Sequence, residues 1–196
     1  MNKLTGNTRK LVMTAMLSAV ATVLMFVDFS VPFMPNYIKM DISELPALIA
    51  SFSMGPAAGV AVCLIKNLAN LFRSQTGGIG ELCNFFLGIC FVLPAGLVYK
   101  MNKTKKGALT GCLVGAVSMA ALSLPLNYFF IYPIYSKFMS MEAIIKSYQI
   151  IFPKVNSLFE CLLIFNVPFT FIKGLLVAIL TFALYKKIAP VIHGKG

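Results

Sequence analysis

Apolar stretches long enough to cross roughly 30 Å of hydrocarbon recur along nearly the whole of this 196-residue chain, and they restrict its backbone more than any motif does. Inside a bilayer no water satisfies peptide groups, so each such stretch must close its own hydrogen bonds. Hydrophobic residues make up 59% of the chain and charged ones 12%, with a mean hydropathy of +0.86. The expected fold is an all-α integral membrane protein, a single transmembrane domain over residues 1–196 with no charged stretch long enough for a soluble domain.

Six spans are expected, at about 11–27, 45–53, 57–72, 82–99, 108–131 and 158–185. The first follows a basic segment with Lys3, Arg9 and Lys10; small residues at 18–21 are followed by more apolar sequence, so it reads as a span and not as a cleaved signal. The second and third form a helical hairpin, because Gly55-Pro56 breaks the chain and reopens it as a helix. Pro94 and Pro125 are expected to bend the helices that contain them.

With both termini in the cytoplasm, Lys3, Arg9, Lys10, Lys100, Lys103, Lys105, Lys106, Lys186, Lys187 and Lys195 all lie inside, ten of the 17 basic residues. The acids Asp28, Asp41, Glu44, Glu81, Glu142 and Glu160 then fall outside or in the outer half of the membrane. The formal net charge of +11 is accounted for by lysines meeting anionic lipid, and no basic stripe with interleaved aromatics points to nucleic acid. Five scattered cysteines and one histidine, His193 in the tail, do not converge as metal ligands and read as small apolar side chains. The Gly-rich stretch 75–80 has no lysine and is not a phosphate loop, so any ATP hydrolysis must come from other subunits. Paired acids at one depth, or a Ser/His couple, are also missing, which argues against an enzyme.

Polar residues inside the apolar helices carry the functional argument. Lys173 lies in the run 162–184; a lysine at mid-membrane depth costs about 2.5 to 3.5 kcal/mol, so it should face a polar hollow or a partner. Asn166 and Thr170 precede it. Asp41 and Glu44 have capping-box spacing, compatible with Glu44 also accepting hydrogen bonds from ligand hydroxyls. Lys66, Asn67 and Asn70 serve either interhelical hydrogen bonding or a ligand. Asn84 and Asn127 each precede aromatic pairs, where an amide can meet a polar ligand edge beside a stacking ring. Such walls suit a flat, largely apolar ring system carrying hydroxyl or amide groups better than a strong anion.

Taken in order, these residues resemble a known family, the substrate-binding S components of energy-coupling-factor (ECF) vitamin transporters, and among them the riboflavin-specific members. The resemblance rests on Met40-Asp41-Ile42-Ser43-Glu44-Leu45-Pro46-Ala47-Leu48, Gly55-Pro56-x-x-Gly59, Lys66-Asn67-Leu68, Glu81-x-x-Asn84-Phe85-x-x-Gly88, Leu126-Asn127-Tyr128 and Pro168-Phe169-Thr170-Phe171-Ile172-Lys173-Gly174. It implies a six-helix bundle in a bacterial cell membrane that binds riboflavin near its outer face under an external cap loop, residues 28–39. By motif position it implies ligand contacts from Glu44, Asn127 and Lys173, with Asn84 a further candidate. Where family members often carry Asn, this chain has Thr170, and Asn166 one turn earlier is placed to supply the missing amide function.

Ala15 and Ala19 put small residues four apart on the first helix, which permits close helix approach, within the bundle or from outside it. The resemblance assigns that face to docking of the transmembrane T component, which works with two ATP-binding cassette ATPases. An S component for another vitamin or nucleobase-like compound and a stand-alone facilitator are the competing expectations.

Overall fold

The computed structural model describes residues 3–192, with side chains described for residues 6–184. His193 and Lys195 lie outside the described residues, and the side chains of Lys3, Lys186 and Lys187 fall outside the described set. Helix α1 (Lys3–Phe26) leads into a two-residue-per-strand hairpin, β1 (Phe29–Ser30) with β2 (Lys39–Met40), paired antiparallel. There follow α2 (Glu44–Met54), α3 (Pro56–Asn70), α4 (Ile79–Met101) and α5 (Lys105–Leu126). A wide turn of i→i+5 type, Asn127–Ile131, carries α5 into α6 (Tyr132–Tyr135). After α7 (Met141–Gln149), the short α8 (Leu158–Cys161) passes through a second wide turn, Leu162–Asn166, into α9 (Val167–Ile192).

Among the described residues, four helices are long and apolar enough to cross a membrane, Gly6–Phe26, Ile79–Met101, Lys105–Tyr135 and Leu158–Leu184. They coincide with four of the six expected spans, those at 11–27, 82–99, 108–131 and 158–185. At 1.5 Å per residue, α2 with 11 residues and α3 with 15 reach about 16 Å and about 22 Å, each short of the hydrocarbon thickness. They form the expected hairpin, turned at Gly55, whose φ of 105° lies where side chains are disfavoured, with Pro56 opening α3. Both α4 and the α5–α6 helix run on through Pro94 and Pro125, and the wide turn begins two residues after the latter.

The main core lies where α2, α3, α4, α5 and α9 meet, around Leu48, Val62, Phe91, Ala95, Met119 and Val177. Small residues set the spacing: a Cβ on Gly115 of α5 would lie 2.6 Å from the Phe91 carbonyl oxygen of α4. A second cluster joins Ile144 and Tyr148 of α7 to Ile79, Ile131, Tyr132 and Leu162. It holds α7, an element the sequence reading leaves as connection, against the end of the bundle. Helix α1 packs through Ser18, Ala21 and Met25, leaving Val12, Met16, Val20 and Val23 exposed together with Ala15 and Ala19.

Candidate ligand-binding site

A cavity with about 1060 Å³ of empty space, its open mouth included, lies between the β1–β2 hairpin, α4, the end of α5, α6 and the start of α9. Lys173 of α9 reaches it nearly sequestered, its ammonium donating to Asp41 Oδ2 at 2.8 Å and to Asn84 Oδ1 at 3.1 Å. Asn84 in turn donates to Asn67 Oδ1 at 3.2 Å. The lysine that the bilayer would penalise thus has a carboxylate, an amide and a hollow, as its position in the sequence demanded.

Of the residues singled out in the sequence, Asn84, Asn127, Asn166, Thr170 and Lys173 all line this cavity. Glu44 does not. It is buried at 1% exposure, its Oε1 taking Lys66 Nζ at 2.7 Å, and Cys63 Sγ approaches its Oε2 at 3.6 Å. The expected capping box does not form either: Asp41 Oδ1 accepts from the Ser43 backbone N–H at 2.8 Å and from the Ser43 hydroxyl, leaving its other oxygen for Lys173. Lys66 also donates to Ser43 Oγ at 2.6 Å. One buried relay results, Lys173 to Asp41 to Ser43 to Lys66 to Glu44. Burial alone would raise the Asp41 carboxyl; the Lys173 and Lys66 ammoniums, with hydrogen bonds from Lys173 and Ser43, outweigh it and hold the group well below the usual carboxylate range.

Asn127 and Asn166 sit on the two wide turns. Wide turns of this kind inside helices often mark functional sites, because they re-aim side chains. Asn127 donates to the Ser123 carbonyl at 2.7 Å while its Oδ1 accepts from Cys83 Sγ at 3.4 Å. Asn166 Oδ1 accepts from Tyr148 OH at 2.7 Å, and its Nδ2 donates to Tyr132 OH at 3.3 Å. The rings expected beside the amides point elsewhere: Tyr128, Phe129 and Phe130 are exposed, and Phe86 is 39% exposed. Tyr37, Tyr132, Tyr135 and Phe169 supply the aromatic walls instead, with the Tyr37 and Tyr135 rings 6.0 Å apart. Sequence reasoning missed the tyrosines and the role of Asp41. The tyrosine signal was the pair Tyr132 and Tyr135 lying just beyond Asn127 in an apolar helix.

At the mouth, Lys39 pairs with Asp28 at 3.2 Å across the hairpin. The Arg73 guanidinium lies 4.8 Å from the Phe26 ring centre and donates to the Phe26 carbonyl at 3.1 Å, tying the end of α1 to the turn after α3. Glu81 accepts from Asn70 at 3.0 Å and from Ser74 at 2.8 Å.

A polar hollow walled by tyrosines within an apolar helical bundle defines a membrane protein built to hold a small molecule. The sequence model of the ECF transporter substrate-specific component matches residues 9–185, and the chain belongs to that family. It is a family of transport components, not of enzymes. The riboflavin transporter RibU of Staphylococcus aureus is 34% identical over 181 residues, covering 92% of this chain and 90% of that protein. The riboflavin transporter FmnP of Bacillus subtilis is 34% identical over 185 residues, covering 93% of each. A solved S component of a bacterial ECF transporter superposes with a TM-score of 0.74 at 33% identity, covering 93% of this chain and 96% of that one. The mostly helical fold is therefore that of the S components.

Proposed function

We propose that this chain is the riboflavin-binding membrane subunit of an ATP-driven ECF uptake transporter in a bacterial cell membrane. The observation that carries the reading is the cavity itself, where Lys173, Asn84, Asn127, Asn166 and Thr170 converge with Tyr37, Tyr132, Tyr135 and Phe169. Riboflavin is a flat ring system bearing amide edges and a polyol chain, and this lining offers it rings, amides and a charge-paired lysine. The S. aureus and B. subtilis relatives are riboflavin transporters, which points to the same ligand. Glu44 enters this reading as the anchor of Lys66 and not as a ligand contact.

In this account the vitamin is captured at the outer face beneath the 28–39 hairpin and released to the cytoplasm after a T component and two ATPases act on the subunit. The single domain crosses the membrane with four full-length helices beside the shorter α2–α3 hairpin, and both termini are cytoplasmic. Ala15 and Ala19 offer the T component a close approach, since both are exposed among the outward apolar side chains of Val12, Met16, Val20 and Val23.

Titration of riboflavin with the detergent-purified full chain tests the ligand. Saturable quenching of flavin fluorescence at one vitamin per chain is the expected result. Absence of quenching at micromolar protein and vitamin overturns the assignment.

A further inference from the structure

The charges around the cavity balance. Asp28, Asp41 and Glu81 face Lys39, Arg73 and Lys173 about the same space. The inner cation is not free to meet an anion, because Asp41 holds Lys173 at 2.8 Å with both side chains almost wholly sequestered. Asp41 cannot swing aside: its second oxygen is fixed by the Ser43 N–H and hydroxyl, and that hydroxyl is pinned by Lys66 at 2.6 Å. Near the mouth Lys39 is taken by Asp28, and the Glu81 carboxylate is fixed by Asn70 and Ser74. A ligand bearing a phosphate monoester carries about 1.5 to 2 negative charges at neutral pH. It would bring them into a hollow whose deep cation is already neutralised and whose walls present fixed carboxylates at reduced dielectric.

We propose that Asp41 is a specificity-determining residue of this site: by neutralising Lys173 it sets the cavity for an uncharged ring-and-polyol ligand and against the same ligand carrying a phosphate. The proposal rests on the flavin reading above and adds to it a choice between the free vitamin and its phosphorylated form. Replacing the carboxylate by an amide of the same shape leaves the Lys173 charge uncompensated in the cavity, a net change of one charge in favour of an anionic ligand.

Paired titrations of riboflavin and flavin mononucleotide with the detergent-purified full chain provide the test. Wild type should prefer riboflavin by about tenfold or more at pH 7.5. Asp41→Asn should shrink that ratio by about tenfold, and the double variant Asp41→Asn/Lys173→Gln, neutral again, should return it toward wild type. A measurement on wild type alone guards against misfolded variants: between pH 7.5 and pH 5 the phosphate, with a second pKa near 6, loses about one charge, so the preference for riboflavin should narrow. Equal affinity of wild type for the two flavins at pH 7.5, a ratio unchanged in a folded Asp41→Asn protein, or a wild-type ratio indifferent to pH would each overturn the proposal. Failure of wild type to bind either flavin would instead sink the flavin reading.

Discussion

Lys66→Met isolates what the dry end of the relay contributes. Lys66 is 0% and Glu44 1% exposed, and the ammonium supplies both the 2.7 Å ion pair to Glu44 and the 2.6 Å bond to Ser43. Removing it leaves a carboxylate in the bundle interior with only the Cys63 thiol, 3.6 Å away, as a neighbouring donor. Breaking a buried pair from one side typically costs about 3 to 5 kcal/mol. For a chain of this length each kcal/mol moves the melting temperature by about 2 to 4 °C, so a drop of about 6 to 20 °C is expected. Replacing both members, Lys66→Met with Glu44→Met, removes the stranded charge and substitutes apolar volume, an exchange that is often neutral or stabilising. Thermal unfolding of the detergent-purified proteins, followed through the fluorescence of a thiol-reactive dye, separates the cases. A single variant that melts within about 2 °C of wild type, or a double variant as damaged as the single, would refute the assignment of Glu44 and Lys66 as a mutually dependent buried pair.

Lys173→Met leaves Asp41 without its strongest partner and removes a donor from the cavity wall. Riboflavin affinity should fall by about 1 to 3 kcal/mol in a quenching titration, and an unchanged affinity would remove Lys173 from the site. Because the Asp41 carboxyl is held below its ordinary value, its contribution to stability is complete above the unfolded pKa near 3.9 and is lost only as pH falls through the lower folded value. Riboflavin binding should accordingly stay level from pH 7.5 to 5; a sigmoidal loss within that window would place a different carboxyl in control. Ala15→Trp or Ala19→Trp should abolish uptake in vesicles containing the assembled transporter while leaving riboflavin binding by the isolated chain intact, and equal loss of both activities would show these positions to be internal packing. Gly115→Ala sets a methyl 2.6 Å from the Phe91 carbonyl oxygen, so α4 and α5 must separate; a loss of about 1 to 3 kcal/mol in unfolding experiments is expected, and none if the helices part freely.

Lys173, Asn84, Asn127, Asn166 and Thr170 were legible as a group because dehydration makes polar side chains in apolar helices seek one another and a common hollow. The Gly55-Pro56 hairpin was legible for an equally local reason, the backbone demands of those two residues. Glu44 was misread because its spacing from Asp41 fits a cap, while its actual partner, Lys66, lies 22 residues away on another helix. Helical periodicity also failed at the tyrosines: the wide turns at Asn127–Ile131 and Leu162–Asn166 shift the register by which faces are counted. That shift sends Tyr128, Phe129 and Phe130 outward and brings Ile131 and Tyr132 inward. Helix α7 escaped for want of length, since nine residues with Ile144 and Tyr148 on the buried side give too little pattern to separate a helix from a connection.

The relay also explains why the site belongs to the whole bundle and not to any one element. Asp41 and Lys173 are separated by 132 residues, and Asn84 and Lys173 by 89. Its members come from the connection before α2 and from α2, α3 and α9, so apart from the local Asp41–Ser43 bonds it closes only when those helices have assembled. The two ends then differ in kind. The Lys66–Glu44 end is dry and its charges satisfy each other, whereas Lys173 and Asp41 border open space and retain lone pairs or protons for a guest. Ser43 joins them, bonded to Asp41 through both N–H and hydroxyl and to Lys66 through its oxygen. A structural ion pair thereby fixes the orientation of a cavity-facing one. Preorganisation of this kind lowers the ordering cost of binding.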